Sequence, residues 1–340
     1  VNLILNYGLF LLKTATFFVF VIAILLFYNR IKKRSKDQKK FKITLLENYY
    51  NQAKDSIFLL KMNKFEKKIW LQKKTKKNKE FLKNFRKKFN ANQFLKKSKK
   101  TLFILDFKGD INATKVTGLR KEISLIIMTA NKNDEVLLRL ESSGGVVHGY
   151  GLAASQLQRL RKHDIHLIIC IDKIAASGGY MMACVANRIV SAPFSIVGSI
   201  GVVAQLPNFY RLLKKNNIDM ELHTAGDYKR TLTMFGNNTD LMRHKFRQEL
   251  NATHNLFKQF IKEMRPIVNI NEISNGEHWL GKIAFEKKLV DEINTSDDIL
   301  MSKINEYNLL SIKFIYNKKR LFNLTDYIFK RIQLILKKLF

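Results

Sequence analysis

The sequence predicts an α/β fold in which a parallel sheet is covered by helices on both faces. Three observations carry that expectation. From Thr101 onward, runs such as "TLFILDF", "EVLLRLE" and "IHLIICID" are apolar almost throughout, as befits strands buried on both faces. Each is followed by a segment that reads as a helix: "LRKEISLIIMTA", the stretch after "SSGG", and "GGYMMACVA". Two of the joins are glycine turns that lead from a strand into a helix, which suits strand–helix–strand crossovers in a parallel sheet.

In chain order, residues 1–29 read as a transmembrane anchor. Residues 3–28 are nearly all apolar, but the longest charge-free piece, Thr14 to Asn29, falls short of the ~20 residues a bilayer needs. Adding Leu9 to Leu12, with Lys13 snorkelling to the interface, supplies the remainder. The run ends in "YNRIKKRSK" without a small-residue cleavage site, so an uncleaved anchor is expected. Residues 30–100 read as a basic helical spacer suited to anionic lipid, residues 101–300 as the folded domain, and residues 301–340 as an amphipathic tail. Within the folded domain, "NRIVSA", "SIVGSIGVV" and "DMELHT" read as strands. "PNFYRLLKKNN" and Thr239 to Met264 read as helices, and a shorter helical pair is expected around "GEHWLGKIAFEKKLVDEI". In the tail, Leu321, Leu324, Ile328, Ile332, Ile335 and Leu339 form one apolar stripe, which would suit a membrane surface or a protein neighbour equally.

The net charge of +33 invites a nucleic-acid reading. The charge is concentrated, however, with 26 Lys and Arg against 5 Asp and Glu between Arg30 and Lys100. No nucleic-acid recognition motif accompanies it, and the abundance of Lys, Asn, Ile and Phe follows AT-rich codons. No specific nucleic acid is expected as a partner. Cys170 and Cys184 cannot form a disulfide framework, and no Cys/His spacing suggests zinc.

The candidate chemistry starts at Ser177. It sits at a strand-to-helix turn with Gly178 and Gly179 behind it, where unpaired backbone N–H groups could receive an oxyanion. Gly144 and Gly145, in "LESSGGVV", form a second turn after a strand. In a parallel sheet both turns open at the carboxyl ends of the strands, where ligands bind. The bland reading of Ser177 is a helix N-cap, the commonest use of such a residue. The base is open on local grounds. His148, His163, His166, His223, His244, His254 and His278 are all available, none with an identifiable carboxylate partner. Lys229 lies in a glycine-containing loop, "HTAGDYKRTLTMFG", and would need desolvation to act as a base near neutral pH.

A resemblance narrows this choice. "LRLESSGGVVHGYGLAASQLQRLR", "DKIAASGGYMMACVANRIVSAPFSIVGSIGVVAQLPNF" and "ELHTAGDYKRTLT" closely resemble the signal peptide peptidase A family of bacterial inner-membrane proteases. The match runs in order from Thr101 to about Asp298. The resemblance implies a ClpP/crotonase-like superhelix of ββα units and Ser–Lys peptide hydrolysis without metal or cofactor. By position it implies Ser177 as nucleophile, Lys229 as general base and Ser199 as the hydroxyl orienting that lysine. Oxyanion donors would be the N–H of Gly178 and one from the Gly144–Gly145 turn. Polypeptide substrates, membrane lipid and a homo-oligomeric ring are the implied partners, with the bacterial inner membrane as location and a single pass. Relatives face the periplasm, whereas the basic flank argues for the cytoplasm, so the side stays open. One departure stands out: Ser143 replaces a proline common in the family. Two other readings remain, a crotonase-like acyl-CoA enzyme and a non-catalytic membrane scaffold.

Overall fold

The computed structural model describes residues 7–22, 25, 41–89 and 99–315. It divides into two compact units, the larger spanning Lys42–Lys313. In the other unit, residues 7–22 are helical (α1). Leu9, Phe10, Phe17, Phe18 and Phe20 of α1 are exposed. Among the described residues no helix is long and apolar enough to cross a membrane. The rest of the expected anchor, and the expected apolar stripe of residues 321–339, lie outside the described residues.

The chain continues with β1 (Phe41–Leu45), α2 (Leu46–Lys61) and α3 (Lys64–Phe89), so the basic spacer contributes a strand as well as helices. The apolar runs then fold as β2 (Lys100–Lys108), β3 (Glu135–Glu141) and β4 (His166–Ile171), with α4 (Val116–Thr129) and α5 (Val147–Lys162) between them. Next come β5 (Ile174–Ala176), α6 (Gly178–Ala183), β6 (Arg188–Ser191), β7 (Ile196–Gly198) and α7 (Tyr210–Lys215). The chain continues through α8 (Asp240–Met264), α9 (Ile270–Ile273), β8 (His278–Leu280), α10 (Gly281–Glu286) and β9 (Glu292–Ile293). It ends with α11 (Ser296–Lys303) and β10 (Tyr307–Phe314).

Seven strands form one sheet in the order β1-β10-β2-β3-β4-β6-β9. The pairings from β10 through β9 are parallel, with Leu102 opposite Glu135 and Val136 opposite Leu167. The predicted α/β class is the observed one. Leu102, Ile104, Leu137, Ile168, Cys170, Val190 and Leu309 form a core cluster under this sheet. Removing one such leucine to alanine costs about 2–5 kcal/mol. In α4, Val116, Leu119, Ile123 and Ile126 recur at the helical period and are buried. The sheet takes β10 from residues 301–340 and β1 from residues 30–100, so its strands come from both sides of residues 101–300.

A second, three-stranded sheet has the order β5-β7-β8. It is assembled by repetition. A long strand in the large sheet is followed by a short segment in the small one and then, twice, by a helix. The sets are β3, the Ser142 bridge and α5; β4, β5 and α6; and β6 with β7.

Two local expectations differ from the structure. "DMELHT" forms no strand: residues 216–239 carry neither helix nor strand, and Met220 and Leu222 are exposed. Strand propensity is realised only where a partner edge satisfies the backbone, and this segment pairs with no strand among the described residues. The expected helical pair near Gly281 is instead β8, α10 and β9, because Trp279 pairs opposite Val197 and covers Gly198.

Candidate active site

The small sheet positions the site. Ser142 bridges Ala175 in parallel, and Ala176 of β5 is registered with Gly198 of β7. The residues that follow these positions therefore emerge side by side at one edge. They are the Gly144–Gly145 turn, Ser177 and Ser199, and all four residues line a single cavity of about 870 Å3. The Ser177 N–H donates to the Gly198 carbonyl at 2.8 Å, tying the two serine turns together.

Ser177 has φ 52° and ψ −118°, a conformation that L-residues avoid. Such a residue costs about 1–3 kcal/mol and persists only where its surroundings impose it. Its side chain makes no capping hydrogen bond to α6, so the N-cap reading does not describe it. Ser199 is also at positive φ, 52°, and its N–H donates to the Glu277 carbonyl at 2.6 Å.

Gly144, at φ +89°, touches the Ser177 turn so closely that an added Cβ would lie 2.8 Å from Gly178 N, Ala176 O and Ser177 Cβ. The Gly144 N–H is already given to Ser142 Oγ at 3.1 Å. Among the described residues, the Gly145 N–H donates to no backbone group. The Gly178 N–H opens α6 and so has no acceptor within its helix. Of the three glycines expected as oxyanion donors, Gly145 and Gly178 keep this capacity.

The cavity wall is apolar. Val147 and Ala154 of α5, Met181 of α6, Val203, and Phe257 and Phe260 of α8 line it. It contains no Asp, Glu, His, Lys or Arg. None of the seven histidines therefore reaches it, and neither does Lys229. Lys229 is exposed, in the segment without helix or strand, its N–H donating to the Gly226 carbonyl at 3.1 Å. The structure thus brings together Ser177, Ser199, Gly144, Gly145 and Gly178 and leaves Lys229 outside. Among the described residues no group of three His, Cys, Asp or Glu side chains could hold a metal. Cys170 and Cys184 are buried and unpaired. Burial, the dominant cause, pushes the Cys170 thiol up to about 12 and that of Cys184 higher, which keeps both unreactive.

Sequence reasoning missed Tyr150 and Ser142, which lie directly behind the glycine turn. A tyrosine on the same face as Ala153, Ala154 and Leu157 is a buried tyrosine, and its hydroxyl must find a partner. That was the available signal.

Comparison with known proteins shows the family. Residues 2–157 match the model of the peptidase family S49 N-terminal region, and residues 159–309 match that of peptidase family S49. The chain belongs to peptidase family S49. Among S49 relatives, a probable protease SohB of Buchnera aphidicola subsp. Schizaphis graminum is 63% identical over 340 residues, covering 100% of this chain and 98% of that one. A probable protease SohB of Haemophilus influenzae is 44% identical over 319 residues, covering 93% of this chain and 90% of the relative. Among solved structures, a mutant of the 1510-N membrane-bound stomatin-specific protease aligns with a TM-score of 0.40 at 15% identity, over 61% of this chain and 86% of that one.

Proposed function

We propose that this S49 chain is a membrane-anchored serine endopeptidase that uses a Ser177–Lys229 dyad on unfolded or signal-peptide-like polypeptides. The observation that carries the reading is Ser177 itself. Its backbone is strained, its hydroxyl is not spent on a helix cap, and it lines an apolar cavity beside the N–H groups of Gly145 and Gly178. An apolar wall suits an extended apolar peptide, and the exposed apolar face of α1 suits an anchor at a membrane.

The chemistry is acyl transfer. Neutral Lys229 takes the proton from Ser177 Oγ as that oxygen bonds to the peptide carbonyl carbon. The carbonyl electron pair moves onto its oxygen, which accepts hydrogen bonds from Gly145 and Gly178. Collapse of the tetrahedral species breaks the C–N bond, and the protonated lysine gives its proton to the leaving amine. Water activated by Lys229 then releases the acyl group. Ser199, beside Ser177 in the cavity, is the hydroxyl that would orient the lysine.

Lys229 must arrive from outside the cavity of its own chain. The segment that carries it also exposes Ile218, Met220, Leu222, Tyr228 and Phe235. An assembly with a second copy would cover these side chains and exclude water from the lysine, which disfavours its charged form. The ring and the ClpP/crotonase-like superhelix both belong to this proposal, supported for the superhelix by the ββα repetition.

The test compares wild type, Ser177→Ala and Lys229→Ala on an unfolded apolar peptide. Both variants should lose cleavage. An equimolar mixture of the two should regain it if the dyad forms between copies and stay inactive if it forms within one. Cleavage by Ser177→Ala at the wild-type rate would remove Ser177 from the mechanism.

A further inference from the structure

Behind the Gly144 turn runs a chain of hydrogen bonds whose direction can be worked out. The Tyr150 hydroxyl lies 2.8 Å from the Asp110 carbonyl oxygen, which can only accept. The single tyrosine proton is therefore committed there. Tyr150 Oη also lies 2.6 Å from Ser142 Oγ, so Ser142 must be the donor in that bond. With its proton spent, Ser142 Oγ accepts from the Gly144 N–H at 3.1 Å. The sequence is Gly144 N–H to Ser142 O–H to Tyr150 O–H to the Asp110 carbonyl, each group acting as donor once. Tyr150 is fully buried and Ser142 nearly so, and no bond in the chain can reverse.

The same two residues touch the nucleophile's turn. A Cβ on Gly178 would lie 2.4 Å from Tyr150 Cγ, and one on Gly179 would lie 2.5 Å from the Ser142 carbonyl oxygen. That carbonyl accepts the Ala176 N–H at 3.0 Å. Tyr150 and Ser142 thus hold both glycine turns at once, the one that follows β3 and the one that follows Ser177. Meanwhile Ser143, between Ser142 and Gly144, is exposed and brings no ring of its own to fix the backbone.

We propose that Tyr150 and Ser142 are positioning residues for the oxyanion site. By orienting the Gly144 peptide, they aim the Gly145 N–H at the same point as that of Gly178. This rests on the serine-peptidase reading above. Because Gly144 spends its own N–H on Ser142, the next N–H is left for the substrate, and the turn cannot rotate without breaking the chain. The directed chain strengthens as each bond polarises the next.

The experiment uses the full chain with Tyr150→Phe, Ser142→Ala, the double variant and Ser142→Thr. Phenylalanine keeps the ring against Gly178 and removes only the hydroxyl. We expect Tyr150→Phe and Ser142→Ala each to lower kcat about ten-fold with KM unchanged. That is less than the roughly 10²–10³-fold lost when an oxyanion donor is deleted outright. The double variant should be no worse than either single one, because the chain acts as a unit. Ser142→Thr, which keeps the hydroxyl, should restore the rate. Amide hydrogen exchange is the second readout: Gly144 should lose protection in Tyr150→Phe and Ser142→Ala while the β3 amides keep theirs. A kcat within two-fold of wild type in both single variants, or unchanged Gly144 exchange, overturns the proposal. If the peptidase reading itself fails, wild type and Ser177→Ala behave alike on the peptide, and the exchange measurement still decides whether the two residues hold the turn.

Discussion

The contact between Gly144 and the Ser177 turn, where the two glycine turns meet, gives the sharpest prediction. Gly144→Ala adds one carbon. At φ +89° an L-residue already pays about 1–2 kcal/mol. The added Cβ would also stand 2.8 Å from three atoms, two of them backbone, so no flexible side chain can yield to it. One of the turns must move. The combined cost is roughly 2–4 kcal/mol, which for a domain of this size lowers Tm by roughly 5–15 °C. Whichever turn moves, the Gly145 and Gly178 donors no longer converge, and a displacement near 1 Å costs on the order of 10²-fold in rate. Gly151→Ala is the control. It is helical, with nothing within 4 Å of its added Cβ, so alanine there should raise stability by about 1 kcal/mol. The assay pairs thermal unfolding with kcat/KM on the unfolded peptide. Gly144→Ala with wild-type Tm and wild-type kcat/KM would show that the two turns do not meet as described.

Three other outcomes follow from the geometry. Ser177→Gly should abolish cleavage yet unfold at a higher temperature than Ser177→Ala, because glycine releases about 1–3 kcal/mol of backbone strain at φ 52°; equal melting of the two variants would remove the strain argument. Arg265, buried, donates to both Asp291 carboxylate oxygens at 2.8 and 3.1 Å and to the Lys288 carbonyl. Arg265→Ala should cost about 3–5 kcal/mol in chemical denaturation, with Arg265→Lys recovering little because the fork is lost. At Glu135, burial raises the carboxyl pKa, but hydrogen bonds from Lys303 and Tyr307 outweigh it and hold the group below its ordinary 4.5. A depressed folded-state pKa contributes stability that is present above 4.5 and lost as pH falls through the folded value. Glu135→Gln should therefore flatten the decline of the urea midpoint below pH 4.5, and an unchanged acid slope would count against the linkage.

What the sequence made legible follows from which forces act locally. Strands β2, β3 and β4 could be read because a strand buried on both faces must be apolar at nearly every position, and "LFIL", "VLL" and "LIIC" are. The helix after Thr239 could be read because its N-cap is local chemistry: Thr239 Oγ1 accepts from the Met242 N–H, as a cap should. β10 reads from sequence as part of a tail because its partner, β2, lies some two hundred residues away, and nothing in "YNLLSIKF" names it. Lys229 is singled out by resemblance alone, and the structure leaves it exposed and outside the cavity, because no local pattern in a lysine-rich chain marks one lysine from another.

The meeting of the turns was the least legible feature, and the reason bears on function. Gly144, Ser177, Gly198 and Ser199 all sit at positive φ along one edge of the small sheet. At Gly144 and Gly198 the residue type advertises that conformation. At Ser177 and Ser199 it conceals it, since serine ordinarily avoids the region and ordinarily caps helices. A glycine would be less strained at either place, and a hydroxyl is there nonetheless. Local preference has yielded at two adjacent positions that share a cavity, while Leu102, Leu137 and Ile168 around them obey every rule of burial. Five other described non-glycine residues, Ala113, Asn133, Asp164, Asn217 and Lys288, also have positive φ, but Ser177 and Ser199 are the two that line the cavity, and backbone strain clusters where a side chain must be held for binding or chemistry.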